Sequence, residues 1–429
     1  MKIRYIVLVC AVIISASLYY LFADEDLNPE IIAIQQQYAK PINLDNNVYI
    51  EMMSWQYLDS DNPYQLAVNT YKKQVKELRA ISVREISPIR YPQVEFPSTE
   101  ESIPYCDLNT ESCIATIIEQ SQDLTKLISD NQVYLNRFYK LAEFDNFQAL
   151  NPLLVKTNYD FTVLYRLAAL DILYKLESEQ IEEAEKSITR LITIDRKFMA
   201  TTNEFIFKII SISNFSQIHL PLITRLIVKK SNPKIDLLKP LTSEEITFNE
   251  VWRSELYYMI SLLTSEDIFS KTKDVPNSQN FIMKMLMFKK HMTFNEIGEF
   301  YLTQVISTTS TKAQYFQDVK SMKDIIAEFH EQHEFYQRCS FCSIATNLNN
   351  IVGHLITITT MPKYTDLYSR IINIDLELQL LRLKVSNPKG VEEVILSKKQ
   401  WQEPYLNSSP FIKSDKLCYA VADEVCIKR

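Results

Sequence analysis

The sequence predicts an all-α protein: a multi-helix array of αα-hairpins behind one N-terminal transmembrane helix, ending in a small C-terminal β-hairpin. Three observations carry that prediction. Only Gly298, Gly353 and Gly390 occur in 429 residues, far below the usual ~7%, and a sheet rich in tight hairpins needs residues that reach positive φ. Apolar residues recur at helical spacing almost without a break from Thr110 to about Lys399. Tyr5 to Ala23 form a run of 19 residues without a charge.

That run follows Lys2 and Arg4 and is followed at once by Asp24, Glu25, Asp26 and Glu30. At ~1.5 Å per residue it nearly crosses a ~30 Å hydrocarbon layer. Basic residues before it and acidic residues after it favour a cytoplasmic N-terminus and an exported body. A cleaved signal peptide would have a shorter apolar region with a small-x-small end. Ser15-Ala16-Ser17 offers a loose version of that end, but the apolar run continues past it. The reading is therefore an uncleaved anchor, with membrane contact through residues 5–23 and the body in the periplasm of a bacterial inner-membrane protein. The next most apolar stretch, Phe205 to Ile227, is interrupted by Lys208, His219 and Arg225 and does not qualify as a span.

The body divides, in order, into a membrane-proximal helical segment (24–81), a Pro-rich connector (82–105), a helical core domain (106–400) and a tail (401–429). Pro88, Pro92, Pro97 and Pro104 disfavour helix in the connector. Before it, Asn47 to Tyr57 and Tyr64 to Ala80 read as helices. Beyond it, Ile114, Ile117, Ile118 and Ser121 mark one helical stripe. Phe161, Leu164, Ala168 and Ile172 stripe a helix, Glu177 to Gln180 turn it, and Ile181, Ala184, Ile188 and Leu191 stripe a second, which makes an αα-hairpin. Its wording is similar to a single tetratricopeptide repeat, but no second copy recurs at a ~34-residue period, so an ordinary helical hairpin is the preferred reading. Thr242 and Glu245 form a capping box before Ile246, Phe248, Trp252, Leu256 and Ile260. In the tail, Leu417 to Val421 and Glu424 to Ile427 read as two short strands.

Six cysteines outside the anchor fall in close pairs, Cys106 with Cys113, Cys339 with Cys342, and Cys418 with Cys426. An even number in an exported body points to disulfides, and nearest-neighbour pairing is expected among the formal alternatives. Such short loops remove little chain entropy, so each bridge serves as a local clamp.

Composition excludes several functions. A net charge of -7 with 46 Lys plus Arg against 53 Asp plus Glu, and no basic run longer than two residues, leaves no footprint for a nucleic-acid partner. Dinucleotide loops, P-loops and nucleophile elbows need glycine-rich turns, and none is present, so no cofactor is expected. One cluster invites a metal reading: His330 and His333, followed by Cys339 and Cys342. On one continuous helix the histidines fall at ~0° and ~300° and the cysteines at ~180° and ~120°, so tetrahedral zinc binding needs a break near Gln337. The same cluster lacks H-E-x-x-H spacing, and its CSFC lacks the βαβ setting of a thiol oxidoreductase. Acidic pairs such as Glu182-Glu183 and Glu244-Glu245 sit where a helix dipole favours them. Met283, Met285 and Met287 do not share one helical face and suit core packing.

Three segments carry a family resemblance: NNVYIEMMSWQYLDSDNPYQLA (Asn46 to Ala67), Cys106 and Cys113 followed by NQVYLNRFYKL (Asn131 to Leu141), and the helix IINIDLELQLLRLK before an NSSPF tail. The layout resembles bacterial single-anchor exported helical proteins of unknown function. The resemblance implies an exported helical body and transfers no catalytic residue. The expected function is a protein-interaction or scaffold role with an envelope protein partner. The alternatives are an envelope hydrolase or metal-dependent enzyme, and a binder of lipid or another apolar ligand suggested by 24 Tyr, 21 Phe and 11 Met.

Overall fold

The computed structural model describes residues 23–57, 59–78, 89–90, 108, 110–119, 121–151, 155–156, 161–230, 233–265, 288–306, 311–338, 350, 353, 356–357, 365–387, 391, 398–421 and 424–428. The expected anchor before Ala23, Cys106, Cys339, Cys342 and Met283 to Met287 lie outside the described residues.

The described chain is mostly helical. In order it forms α1 (Pro29–Tyr38), α2 (Val48–Ser54), α3 (Pro63–Leu78), α4 (Glu111–Glu119), α5 (Ser121–Asp130), α6 (Gln132–Lys140), α7 (Phe161–Glu177), α8 (Ile181–Thr201) and α9 (Phe205–Asn214). A π-helical turn, Phe215–His219, joins α9 to α10 (Leu220–Lys229). There follow α11 (Ser243–Ile246), α12 (Asn249–Ser265), α13 (Lys290–Thr303), α14 (Lys312–Arg338) and α15 (Thr365–Ser386). The strands are β1 (Ile89–Arg90), β2 (Val155–Lys156), β3 (Phe411–Lys413), β4 (Lys416–Ala420) and β5 (Glu424–Lys428).

Two compact units result, each assembled from three stretches of chain. The smaller comprises Met1–Pro41, Trp252–Val305 and Val319–Lys363, and the larger Ile42–Val251, Ile306–Asp318 and Tyr364–Arg429. In the smaller unit, Ile31, Leu256, Ile260, Phe294, Ile297, Phe300 and Tyr301 are buried, and Trp252 stands tilted against Tyr301 with ring centroids 6.1 Å apart.

The centre of the larger unit is the α7–α8 hairpin. Leu164, Ala168 and Ile172 on α7 and Ala184, Ile188 and Leu191 on α8 are fully buried, as their spacing predicts. Helix α7 is buried on nearly every side, because α4, α5, α6, α8 and α10 all pack on it, while α8 also receives α9 and α11. An aromatic cluster fills the interior: Phe161 meets Tyr165, Phe138 and Phe207 at right angles or nearly so, and Phe198 stacks on Phe207 at 4.9 Å. Such pairs add ~0.5 to 1.5 kcal/mol each beyond area burial.

Several expectations are corrected. Ile118 is 52% exposed, and α4 ends at Glu119 with Ser121 opening α5, so the expected single stripe is two helices with Ile118 outside the core. The Thr242–Glu245 capping box is present, but it caps only the single turn α11; Trp252, Leu256 and Ile260 belong to α12. The tail is a three-stranded antiparallel sheet in the order β3-β4-β5, so the hairpin gains a strand that its short sequence, Phe411 to Lys413, did not signal. Cys418 pairs in register with Cys426 across β4 and β5 and is bonded to it. Ile89 and Arg90, in the Pro-rich stretch, pair in parallel with Val155 and Lys156.

With so little glycine, left-handed backbone falls to other residues: Asn46, Glu179, Asn407 and Ser414 all have positive φ. At the hairpin turn, Gln180 N donates to Lys175 O with Glu179 at φ 61, a Schellman closure whose left-handed position is usually glycine. Replacement Glu179→Gly removes a left-handed Cβ penalty of ~1 to 2 kcal/mol and adds unfolded-chain entropy of ~0.4 to 1 kcal/mol. The expected outcome in thermal or urea unfolding is a net gain in stability of up to ~1.6 kcal/mol, whereas Glu179→Val should destabilise.

Candidate functional site

The side chains singled out in the sequence are only partly brought together. His330 and His333 both lie on α14, and their intended partners Cys339 and Cys342 lie outside the described residues. Cys113 is disulfide-bonded, and Cys418–Cys426 closes the tail sheet. Among the described residues, no group of three or more His, Cys, Asp or Glu is placed to hold a metal.

What the fold does assemble is a polar centre inside the larger unit that has no sequence motif. Asp195 on α8 and His219 in the π turn are both fully buried. His219 Nε2 lies 2.5 Å from Asp195 Oδ2; a carboxylate only accepts, so Nε2 carries the proton. Tyr165 OH on α7 donates to Asp195 Oδ1 at 2.6 Å, Ser211 Oγ on α9 donates to the same oxygen at 2.7 Å, and Asn214 Nδ2 donates to Oδ2 at 3.2 Å. Burial, and then the Asp195 charge, push the Tyr165 phenol well above its ordinary pKa, which keeps it an O–H donor. His219 Nδ1 has no hydrogen-bond partner among the described residues; the Phe215 ring stands at right angles to the imidazole, 4.8 Å away.

Local sequence explains how His219 reaches Asp195. Pro221 lacks an N–H and its ring crowds the carbonyl one turn back, and such strain is relieved by widening the helix into a π turn. Widening inserts one extra residue, so His219 takes the angular place that position 218 would hold in an unbroken helix. That place is seven residues after Ser211, about 700° or two turns on at 100° per residue, and therefore on the same face. The apolar run from Phe205 to Lys229 is thus a buried core helix with a π insertion, and its interrupting His219 and Lys208 are interior ligands of the fold.

Three further buried centres share this logic. Lys208 Nζ donates to the carbonyls of Met199, in the last turn of α8, and Thr247, after α11, and lies 5.0 Å from the Phe248 ring centre. Burial lowers its pKa to about 7, against a smaller opposing pull from Glu245. Glu245 is itself buried and does more than serve a helix dipole: it accepts Arg196 Nε at 2.8 Å and Thr242 N at 2.7 Å, while Arg196 also donates to the carbonyls of Lys239 and Pro240. Asp375 on α15 accepts Leu241 N at 2.6 Å, Lys312 Nζ at 2.7 Å and Tyr405 OH at 2.9 Å.

The Asp195 centre holds the residue types of a serine hydrolase in a different connectivity. A nucleophile must hydrogen-bond its base, yet Ser211 donates to the aspartate, and Ser211, Asp195 and His219 have no exposed surface. The arrangement locks α7, α8, α9 and the π turn to one another. No family model, curated protein or solved structure matches the chain.

Replacement Asp195→Ala strands four donors in a dry interior, and the expected loss is ~3 to 5 kcal/mol of unfolding free energy, measured by denaturant titration; a loss under ~1 kcal/mol would mean the centre is not load sharing. For Lys208 the folded pKa of about 7 lies below the unfolded 10.5, so the unfolded chain binds more protons between those values. Its contribution to stability rises as pH climbs from about 7 to 10.5, by at most ~1.4 kcal/mol per unit, and is lost as pH falls through 7. The difference between wild type and Lys208→Met in stability against pH should show that slope.

Proposed function

We propose that the chain is a single-pass protein of a bacterial inner membrane whose helical body lies in the periplasm and acts as a scaffold for an envelope protein partner. The observation that carries this reading is the α7–α8 hairpin, flanked by α4, α5, α6, α9 and α10 and locked from within by the Asp195 centre. Helices held this way keep their outward faces in fixed geometry without a ligand, and a preorganised face loses less entropy on meeting a partner. The Cys418–Cys426 bridge supports an oxidising compartment, and the charge pattern around Tyr5 to Ala23 supports export.

Ile118, Val133 and Val228 are exposed on α4, α6 and α10. Single exposed apolar residues are ordinary, but they provide accessible places for photoreactive side chains that leave the core untouched. In native membranes at native abundance, a cross-linker at one or more of these positions should capture the same partner reproducibly. Specific capture at none of the three, with the body folded and anchored, would contradict a scaffold role.

A further inference from the structure

The acidic residues that follow Ala23 mark the exported side of the expected anchor, and in the smaller unit they have a second role. Asp24 caps the N-terminus of α13: its Oδ2 accepts His291 N at 2.9 Å and its Oδ1 accepts Met292 N at 3.0 Å. His291 Nδ1 lies 2.9 Å from the Glu25 carbonyl. Asn295, one turn along, donates to Glu25 Oε2 at 3.1 Å and to the Asp26 carbonyl at 2.9 Å, and its Oδ1 accepts Asn28 N at 2.9 Å. Asn28 then caps α1, and fully buried Ile31 lies against Gly298 of α13, so close that a Cβ there would meet Ile31 Cδ1 at 2.5 Å. Every residue from Asp24 to Asp26, together with Asn28, thus bonds to one helix. A free linker would leave these groups to water.

We propose that this clasp holds the first turn of α13 in the phospholipid headgroup layer, so that the smaller unit stands on the membrane with no flexible tether. The inference rests on the anchor reading of residues 5–23. Consecutive Cα atoms are ~3.8 Å apart, so Asp24 begins one residue beyond the apolar run, and the headgroup region on each side of the bilayer is roughly 5 to 8 Å deep. A backbone amide bonded directly to Asp24 must lie in or beside that layer. Lys290, exposed at the start of α13, marks the point of that turn from which contact with the layer can be read.

The test uses full-length protein with Lys290→p-benzoylphenylalanine, reconstituted in vesicles of phosphatidylethanolamine and phosphatidylglycerol. Flotation reports anchoring, and irradiation followed by mass spectrometry reports phospholipid adducts at position 290. The expected result is protein that floats and carries adducts. A Gly/Ser insertion of about ten residues between Ala23 and Asp24 leaves all clasp contacts intact but frees the body over ~15 to 20 Å, and it should reduce adducts severalfold. Asp24→Ala with Asn295→Ala, checked for folding by circular dichroism, should reduce them likewise. Floating protein without adducts, or adduct yield unchanged by the insertion, overturns the clasp while leaving the anchor standing. Protein that does not float overturns the anchor and this inference together.

Discussion

The carboxylate of Asp195 is the constraint on which the larger unit depends. A dry carboxylate is tolerated only where its lone pairs are met by donors, and here those donors come from α7, α9 and the π turn. Each donor is fully placed only when its own helix sits in one register. Apolar packing alone would accept several sliding arrangements of α7, α8 and α9, because helical ridges repeat; the aspartate distinguishes among them. The aromatic cluster of Phe161, Phe198 and Phe207 contributes apolar burial, and the polar centre supplies the alignment.

The same economy recurs around it. Arg196 joins Glu245 to the loop carbonyls of Lys239 and Pro240, Lys208 closes the end of α8, and Asp375 ties α15 to Leu241, Lys312 and Tyr405. Glu403 accepts the backbone N–H groups of Tyr405, Leu406 and Ser408 and shapes the approach to the tail sheet. Each of these charged groups is matched by backbone or side-chain partners inside the fold, so each fixes the segments it joins.

Legibility in the sequence followed the range of each interaction. The α7–α8 hairpin was readable because its apolar stripes and polar turn lie within one short stretch, and the Thr242–Glu245 box because its two partners are three residues apart. The paired Cys418 and Cys426 flanked a turn and could be matched on proximity. The Asp195 centre was not readable: Tyr165, Asp195, Ser211, Asn214 and His219 follow no spacing rule, and His219 reaches the centre only through the π turn that Pro221 provokes. Pairing of Ile89 with Val155 and the addition of β3 depend on partners distant in sequence or on strands too short to show alternation. Ile118 lies outside the core because the buried face of α4 is formed by Cys113, Ile114 and Ile117, and at 100° per residue Ile118 falls beyond its edge, which an apolar count alone does not show. Division into two discontinuous units is likewise invisible to any reading that proceeds along the chain.

If the Asp195 centre makes the α7 to α10 region one rigid body, native-state hydrogen exchange of the backbone amides in α8, α9 and the π turn will report it. These amides, the π turn included, should exchange only through global unfolding and be among the slowest in the protein. Rapid exchange through Phe215 to His219, with protection confined to α8, would show that the turn opens independently and that Asp195 does not hold the helices together.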